Sequence, residues 1–225
     1  MSAEMTLPLL ILIPARGGSK RLPGKHICPL GGRTLMEWTE HALREADINA
    51  PRLLTTDDVD IAERGKSLGW MVPWLRPPEL ATDITPTLPV LFHALNWFTK
   101  EHGGDPELML LMQLTSPFRG GAVVRRALDL LAADSSIDAV ISVRDLHRTQ
   151  ETLFTVSDDE NLQALGPSGD NRRVWTPNGA LYLVRTTALR REGTLYPCST
   201  RPVFMSDEAS LDIDTKLDWM LAETV

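Results

Sequence analysis

Leu9 to Ile13 is an unbroken apolar run, and it ends abruptly in Pro14-Ala15-Arg16-Gly17-Gly18-Ser19-Lys20-Arg21-Leu22-Pro23-Gly24-Lys25. A run of that length bounded by turn residues reads as a buried strand, here Leu7–Ile13. The segment after it packs three glycines, two prolines and four cations into twelve positions. In α/β proteins, a buried strand that opens into a flexible basic loop is a place to hold phosphate. Glycine lets backbone N–H groups approach an anion, and fixed cations neutralise it. A solvated surface turn with incidental cations is the alternative. Four cations around glycines directly after a first strand argue against it.

The loop is neither of the two commonest phosphate motifs. Gly18 and Gly24 are separated by five residues where a P-loop has four, and His26 follows Lys25 where a Mg²⁺-binding hydroxyl belongs. The spacing also fails the dinucleotide pattern G-x-G-x-x-G. What remains is a long wrap-around loop ending near Gly31-Gly32-Arg33-Thr34, suited to a whole triphosphate. Arg16 and Lys25 are its main candidate contacts, with Ser19 and Lys20 in support. Guanidinium grips phosphate oxygens as a fork, and ammonium acts as a point charge.

Strands and helices alternate beyond the loop. A helix is expected over Leu35–Ala46, with Thr34 and Glu37 as a capping box. Then come a strand at Arg52–Thr55, a helix over Asp58–Leu68 introduced by Asp57, and a strand at Trp70–Leu75. The alternation continues with a helix over Pro86–Glu101, a buried strand at Leu108–Leu114, a helix over Val123–Ala133 and a strand at Ala139–Val143. This order predicts an α/β fold of three αβα layers, Rossmann-like, around a mostly parallel sheet. Such sheets bind ligands at the carboxyl ends of their strands. Arg16, Asp57, Arg76 and the stretch Gln113–Arg119 fall there. The pattern lapses between Arg144 and Thr176, where Ser157–Asn171 is polar and carries Gly166-Pro167-Ser168-Gly169. It returns at Ala180–Val184.

The 225 residues suit one domain, residues 1–225. A net charge of −7 excludes the basic footprint expected of a nucleic-acid binder, yet is compatible with a small anion held in a locally positive loop. Two cysteines, Cys28 and Cys198, are too few for a disulfide framework and predict reduced thiols in the cytoplasm. No apolar run is long enough to span a membrane. The start lacks a basic segment before its apolar run, so it reads as a strand and not as a signal peptide.

Several polar residues stand where chemistry would occur. Asp212 and Asp214 alternate in L-D-I-D, and side chains two apart on an extended segment project the same way. Such a pair can share a hard cation, and Mg²⁺ commonly takes one or two carboxylates plus water and phosphate oxygens. The plainer reading has Asp214 capping a helix at Lys216–Glu223. Gln113, Thr115 and Ser116 end a buried strand and suit a polyhydroxy acid or a ribose. Otherwise they merely satisfy the backbone of a turn set by Pro117. Arg119 fits the start of the next helix. Asn178 in P-N-G is either a turn asparagine or a sugar contact. The five histidines do not cluster, and His93 on its helix reads as structural.

With these residues in view, the chain resembles the cytidylyltransferases that activate acidic sugars, above all CMP-sialic acid synthetases (acylneuraminate cytidylyltransferases). The segment A-R-G-G-S-K-R-L-P-G-K looks like their signature loop. LLTTDD at Leu53–Asp58, RPPELATD at Arg76–Asp83 and LMQLTSPFR at Leu111–Arg119 are similar to later family segments. So are PNGALY at Pro177–Tyr182 and LDIDTKLDWMLAE at Leu211–Glu223. The matches come in family order over nearly the whole chain.

The resemblance implies transfer of CMP from CTP to a sialic acid-like nonulosonate, with release of pyrophosphate and with Mg²⁺ as cofactor. It implies catalytic roles for Arg16, Lys25 and Asp214. Nucleotide contact would come from Arg16, Gly17, Gly18, Ser19, Lys20, Lys25, Arg76, Thr85 and Thr87. Sugar contact falls to Gln113, Thr115, Ser116 and Asn178, and metal binding to Asp212 and Asp214. A homodimer is implied too, through a shortened excursion at residues 144–178. The same chemistry on Kdo, on a pseudaminic- or legionaminic-type acid or on a phosphonate is the nearest rival. A non-catalytic nucleotide-binding module is a rival of another class. Three departures from the family pattern, His26, Thr176 and Glu151, predict a sugar other than standard N-acetylneuraminate.

Overall fold

A computed structural model of the chain describes residues 9–167 and 169–225. Leu7 and Pro8, the first residues of the expected first strand, lie outside the described residues, as does Ser168. Ten strands are present among the described residues: β1 Leu9–Pro14, β2 Pro29–Leu30, β3 Arg33–Thr34, β4 Arg52–Thr55, β5 Leu108–Leu111, β6 Ala139–Thr149, β7 Phe154–Val156, β8 Leu162–Ala164, β9 Arg173–Arg185 and β10 Thr200–Phe204. Six α-helices accompany them among the described residues: α1 Leu35–Glu45, α2 Val59–Ser67, α3 Thr87–His102, α4 Gly121–Ala133, α5 Thr186–Glu192 and α6 Lys216–Ala222.

Six strands form one sheet in the order β10-β6-β9-β5-β1-β4. β4, β1 and β5 run parallel, with Leu12 beside both Leu53 and Leu111. β9 enters antiparallel to β5 and β6, and β10 is parallel to β6. Both faces of the sheet are covered, which is why the central strands are apolar throughout and do not alternate. Ile11, Ile13, Leu110 and Leu183 pack on one face with Leu43 of α1, Val124 of α4 and Ala222 of α6. Leu10, Leu12, Leu111 and Val184 pack on the other with Leu91, Leu95 and Phe98 of α3 and Leu189 of α5. This is the three-layer α/β architecture expected from the alternation.

Some local expectations hold in detail. Thr34 caps α1: its hydroxyl accepts from the Glu37 N–H, while the Glu37 carboxylate accepts from the Thr34 N–H at 2.8 Å. Others are corrected. Trp70–Leu75 is no strand: Met71 makes a single parallel bridge to Leu53, and Pro73 then removes a ladder donor. Asp58, not Asp57, caps α2, accepting from the N–H groups of Asp60 and Ile61. Thr215, not Asp214, caps α6 in a capping box with Asp218. Gly31 and Gly32, with φ of 57° and 83°, form the two-residue turn between β2 and β3. In the stretch 144–178, β6 and β9 extend past the sheet, and β7 and β8 form a small hairpin beside them.

Candidate active site

The carboxyl ends of β1 and β5 open onto a cavity of about 630 Å³. It is lined by Arg16, Ser19, Lys20, Arg21, Lys25 and His26 of the loop. Across from them stand Arg76, Asp83, Thr85 and Thr87, then Gln113 and Thr115, then Asp212 and Asp214. Most of the expected residues therefore meet at one place, although they span about two hundred positions of sequence.

Each is held there by a definable contact. The loop is anchored at its start by Asp57, whose Oδ1 accepts the Gly17 N–H at 3.0 Å. That bond takes Gly17 out of the cavity: its N–H points at Asp57, and a Cβ there would collide with the Asp58 carboxylate. Gly18 does not line the cavity either. The cradle is thus made by side chains more than by glycine N–H groups. At the loop's far end Lys25 is 6 % exposed. Its Nζ donates to the Ile213 carbonyl at 2.9 Å and to Asp214 Oδ1 at 2.8 Å. Arg21 Nη2 donates to the other Asp214 oxygen at 2.7 Å. The segment bearing these carboxylates is itself fastened to the end of β5, where the Ile213 N–H donates to the Thr115 carbonyl at 2.7 Å.

The electrostatics follow from burial and neighbours. Burial pushes the Asp212 carboxyl above the usual carboxylate range; the Thr115 hydroxyl opposes this and the Asp214 charge adds to it. Burial acts in the same direction on Asp214, but the Lys25 hydrogen bond and the Arg21 charge outweigh it and hold that carboxyl low. Arg76 is buried, donates from Nε to Thr55 Oγ1 at 3.2 Å and also donates to the Thr55 carbonyl. Burial lowers it to about 10, so it stays charged near neutral pH. His26 is 6 % exposed, and its Nδ1 has no partner among the described residues. Burial first, then the Lys25 charge, lower it to about 3, so the ring is neutral.

Two expected sugar contacts are not at the cavity. Ser116 is fully buried, and its hydroxyl has no partner among the described residues. Asn178 is structural in its contacts: its Oδ1 accepts from Ser142 Oγ at 2.6 Å and its Nδ2 donates to Ser210 Oγ at 2.8 Å. Its neighbour Gly179 packs instead against Gln113, which lines the cavity. With φ of 80°, it lets the Gln113 amide approach so closely that a Cβ would sit 2.5 Å from Oε1. Arg119 does not start a helix. It is buried and donates to the Gln113 and Ala180 carbonyls and, at 2.6 Å, to Thr39 Oγ1, thereby fixing the backbone under Gln113. Of the three departures noted in the sequence, only His26 faces the cavity. Thr176 and Glu151 lie in the 144–178 stretch and line neither this cavity nor a smaller one that opens beside Gln113.

Comparison with known proteins places this arrangement. A sequence model described as cytidylyltransferase matches residues 10–165. The chain belongs to the cytidylyltransferase family. A CMP-N,N'-diacetyllegionaminic acid synthase of Legionella pneumophila is 30 % identical to this cytidylyltransferase over 96 % of its chain and 94 % of the relative. An N-acylneuraminate cytidylyltransferase of Escherichia coli is 29 % identical over 98 % of the chain, which spans only 52 % of that relative's length. Among solved structures, a CMP:2-keto-3-deoxy-manno-octonic acid synthetase complexed with CTP superposes with a TM-score of 0.66 at 18 % identity, covering 96 % of this chain and 99 % of the other. That likeness shows the shared fold.

The smaller, side cavity of the cytidylyltransferase measures about 250 Å³ and shares Thr87 and Gln113 with the main one. Leu88, Leu111, Tyr182, Leu195 and Tyr196 complete much of its wall. Burial, and after it the contact with Tyr196, raise the Tyr182 phenol far above its ordinary value, so it stays protonated. Sequence reasoning missed this second chamber. Tyr182 lay inside PNGALY, but Leu195 and Tyr196 belong to no motif. Asp83 was missed also, though it closes the Arg76–Asp83 segment. None of the described helices is long and apolar enough to cross a membrane.

Proposed function

We propose that this cytidylyltransferase transfers CMP from CTP to an acidic, sialic acid-like nonulosonate and releases pyrophosphate. The observation that carries the reading is the pair of cavities that share Thr87 and Gln113. One chamber is rimmed by Arg16, Lys20, Lys25 and Arg76 and suits a triphosphate. The other opens beside Gln113 and has the mixed apolar and hydroxyl wall that an acylated sugar needs. A sugar hydroxyl seated near Gln113 would attack the α-phosphorus, its proton passing to solvent. The new P–O bond forms as the α–β bond breaks, and the departing pyrophosphate keeps its charge against Arg16, Lys20 and Lys25. Asp212 and Asp214 are suited to hold Mg²⁺: both line the cavity, and a nearby cation would offset the desolvation that pushes Asp212 up. When bound, Mg²⁺ would neutralise phosphate charge. Lys25 orients Asp214 for that task through its 2.8 Å bond.

Pyrophosphate release on mixing with CTP, a divalent cation and a panel of N-acetylneuraminate, other nonulosonates, Kdo and small phosphonates tests the reading. Release with a nonulosonate is expected. Silence across the panel would leave a non-catalytic nucleotide-binding module. With Thr176 and Glu151 away from both cavities, a preference against N-acetylneuraminate rests on His26 alone, and the same panel measures it. Asp214→Asn is expected to lose most activity while staying folded, and full activity in Mg²⁺ would remove the metal assignment.

The 144–178 excursion is proposed to support a homodimer. Exposed Phe154, Val156 and Leu162 and the Trp175–Phe204 ring pair, 4.5 Å apart, favour self-association, which sedimentation would measure. The unpaired thiols of Cys28 and Cys198 favour a cytoplasmic setting.

A further inference from the structure

Two cations of the loop are already occupied by a carboxylate of the same chain. Arg16 Nη1 lies 2.7 Å from Asp83 Oδ1, and Lys20 Nζ lies 2.5 Å from Asp83 Oδ2. One carboxylate thus spans both cations with its two oxygens, as two oxygens of a phosphate would. Nothing in the fold demands the contact. Asp83 and Lys20 are well exposed, and the turn carrying Asp83 projects Ile84 at 89 % exposure. That turn is braced mainly by its own hydroxyls: Thr82 and Thr85 share a 2.6 Å bond, and Thr85 Oγ1 donates to the Glu79 carbonyl. A turn so weakly tied to the core can swing away while the loop, anchored through Gly17 and Lys25, stays in place.

The geometry points to Asp83 as an internal competitor for the polyphosphate site: its carboxylate holds Arg16 and Lys20 when the loop is empty, is displaced by the outer phosphates of the nucleotide, and returns as pyrophosphate leaves. The inference rests on the triphosphate reading of the loop. A polyphosphate wins because it brings several charges against one. The competitor lowers the affinity of every ligand whose phosphates reach Arg16 and Lys20. It leaves untouched a ligand that stops at the α-phosphate. Its effect on the reaction is to weaken retention of the product pyrophosphate.

Calorimetry on the full chain at low ionic strength tests this with CTP, inorganic pyrophosphate and CMP as probes. Exposed ion pairs are individually weak, so Asp83→Asn is expected to tighten CTP and pyrophosphate by about three- to tenfold. CMP binding should not change, and Asp83→Glu should stay near wild type because it keeps the charge. Unchanged or weaker CTP binding in Asp83→Asn would overturn the inference, making the contact idle or part of the bound site. An equal gain for CMP would overturn it too, as the mark of a diffuse field. If the wild-type protein binds neither CTP nor pyrophosphate, the triphosphate reading itself fails and takes this inference with it.

Discussion

Acid should destabilise this protein through His26, starting well above the usual carboxylate range. The imidazole is buried beside Lys25 and Arg76, and burial first, then Lys25, bring it from 6.5 to about 3, against a smaller opposing pull from Asp58. Between those two values the unfolded chain binds a proton that the folded chain refuses, so stability falls as pH falls. The loss begins near the unfolded value of 6.5 and would saturate only below about 3. From pH 7.5 to pH 5 one such group removes about 2 kcal/mol, and the figure hardly changes for any folded value below about 4. In a domain of this size that is about 4–8 °C in Tm. Urea unfolding of wild type and His26→Asn at pH 7.5, 6.5, 5.5 and 5 measures it, since asparagine carries no titrating proton. The wild type should lose about 2 kcal/mol more than the variant across the series. Parallel pH dependences would refute the reasoning and place a charged, solvated imidazole at this position.

Three further outcomes are expected. Lys25→Met or Arg16→Ala should weaken CTP by about ten- to a hundredfold, because a hydrogen bond to a charge is worth about 1.5–3 kcal/mol. Arg21→Ala, largely exposed on Asp214, should cost less than about fivefold; equal small losses at all three, by calorimetry, would mean no specific cradle. Arg119→Met leaves buried carbonyls and the Thr39 hydroxyl without their donor, and should lower stability in urea by at least about 3 kcal/mol. Gly179→Ala meets both a φ of 80° and the Gln113 amide; it should raise KM for the sugar while sparing CTP affinity, with about 1–2 kcal/mol lost in unfolding.

What the sequence determined by itself is what depends on neighbours a few residues apart. The apolar run at Leu9–Ile13, the T-x-x-E box at Thr34 and the strand–helix alternation all arise from bonds and burial local to one element. The basic loop was legible for the same reason, since its cations and glycines are contiguous. The tertiary structure decided the rest. β9 runs against its neighbours although its residues read like those of any buried strand, because apolar pattern carries no direction. Trp70–Leu75 has strand composition yet makes one bridge, since Pro73 and the lack of a second partner strand end its pairing.

The site divides in the same way. Thr115 and Ser116 are adjacent and equally polar, yet one faces the cavity and the other is sealed in the interior. Asn178 turns inward to Ser142 and Ser210, 36 and 32 residues away. Asp214 meets Lys25 across 189 positions, and Asp83 reaches Arg16 and Lys20 from another turn. Charge pairing of this kind depends on distance in space, which falls to a few ångströms only after the strands are assembled and the chain ends of β1, β4 and β5 are brought to one edge.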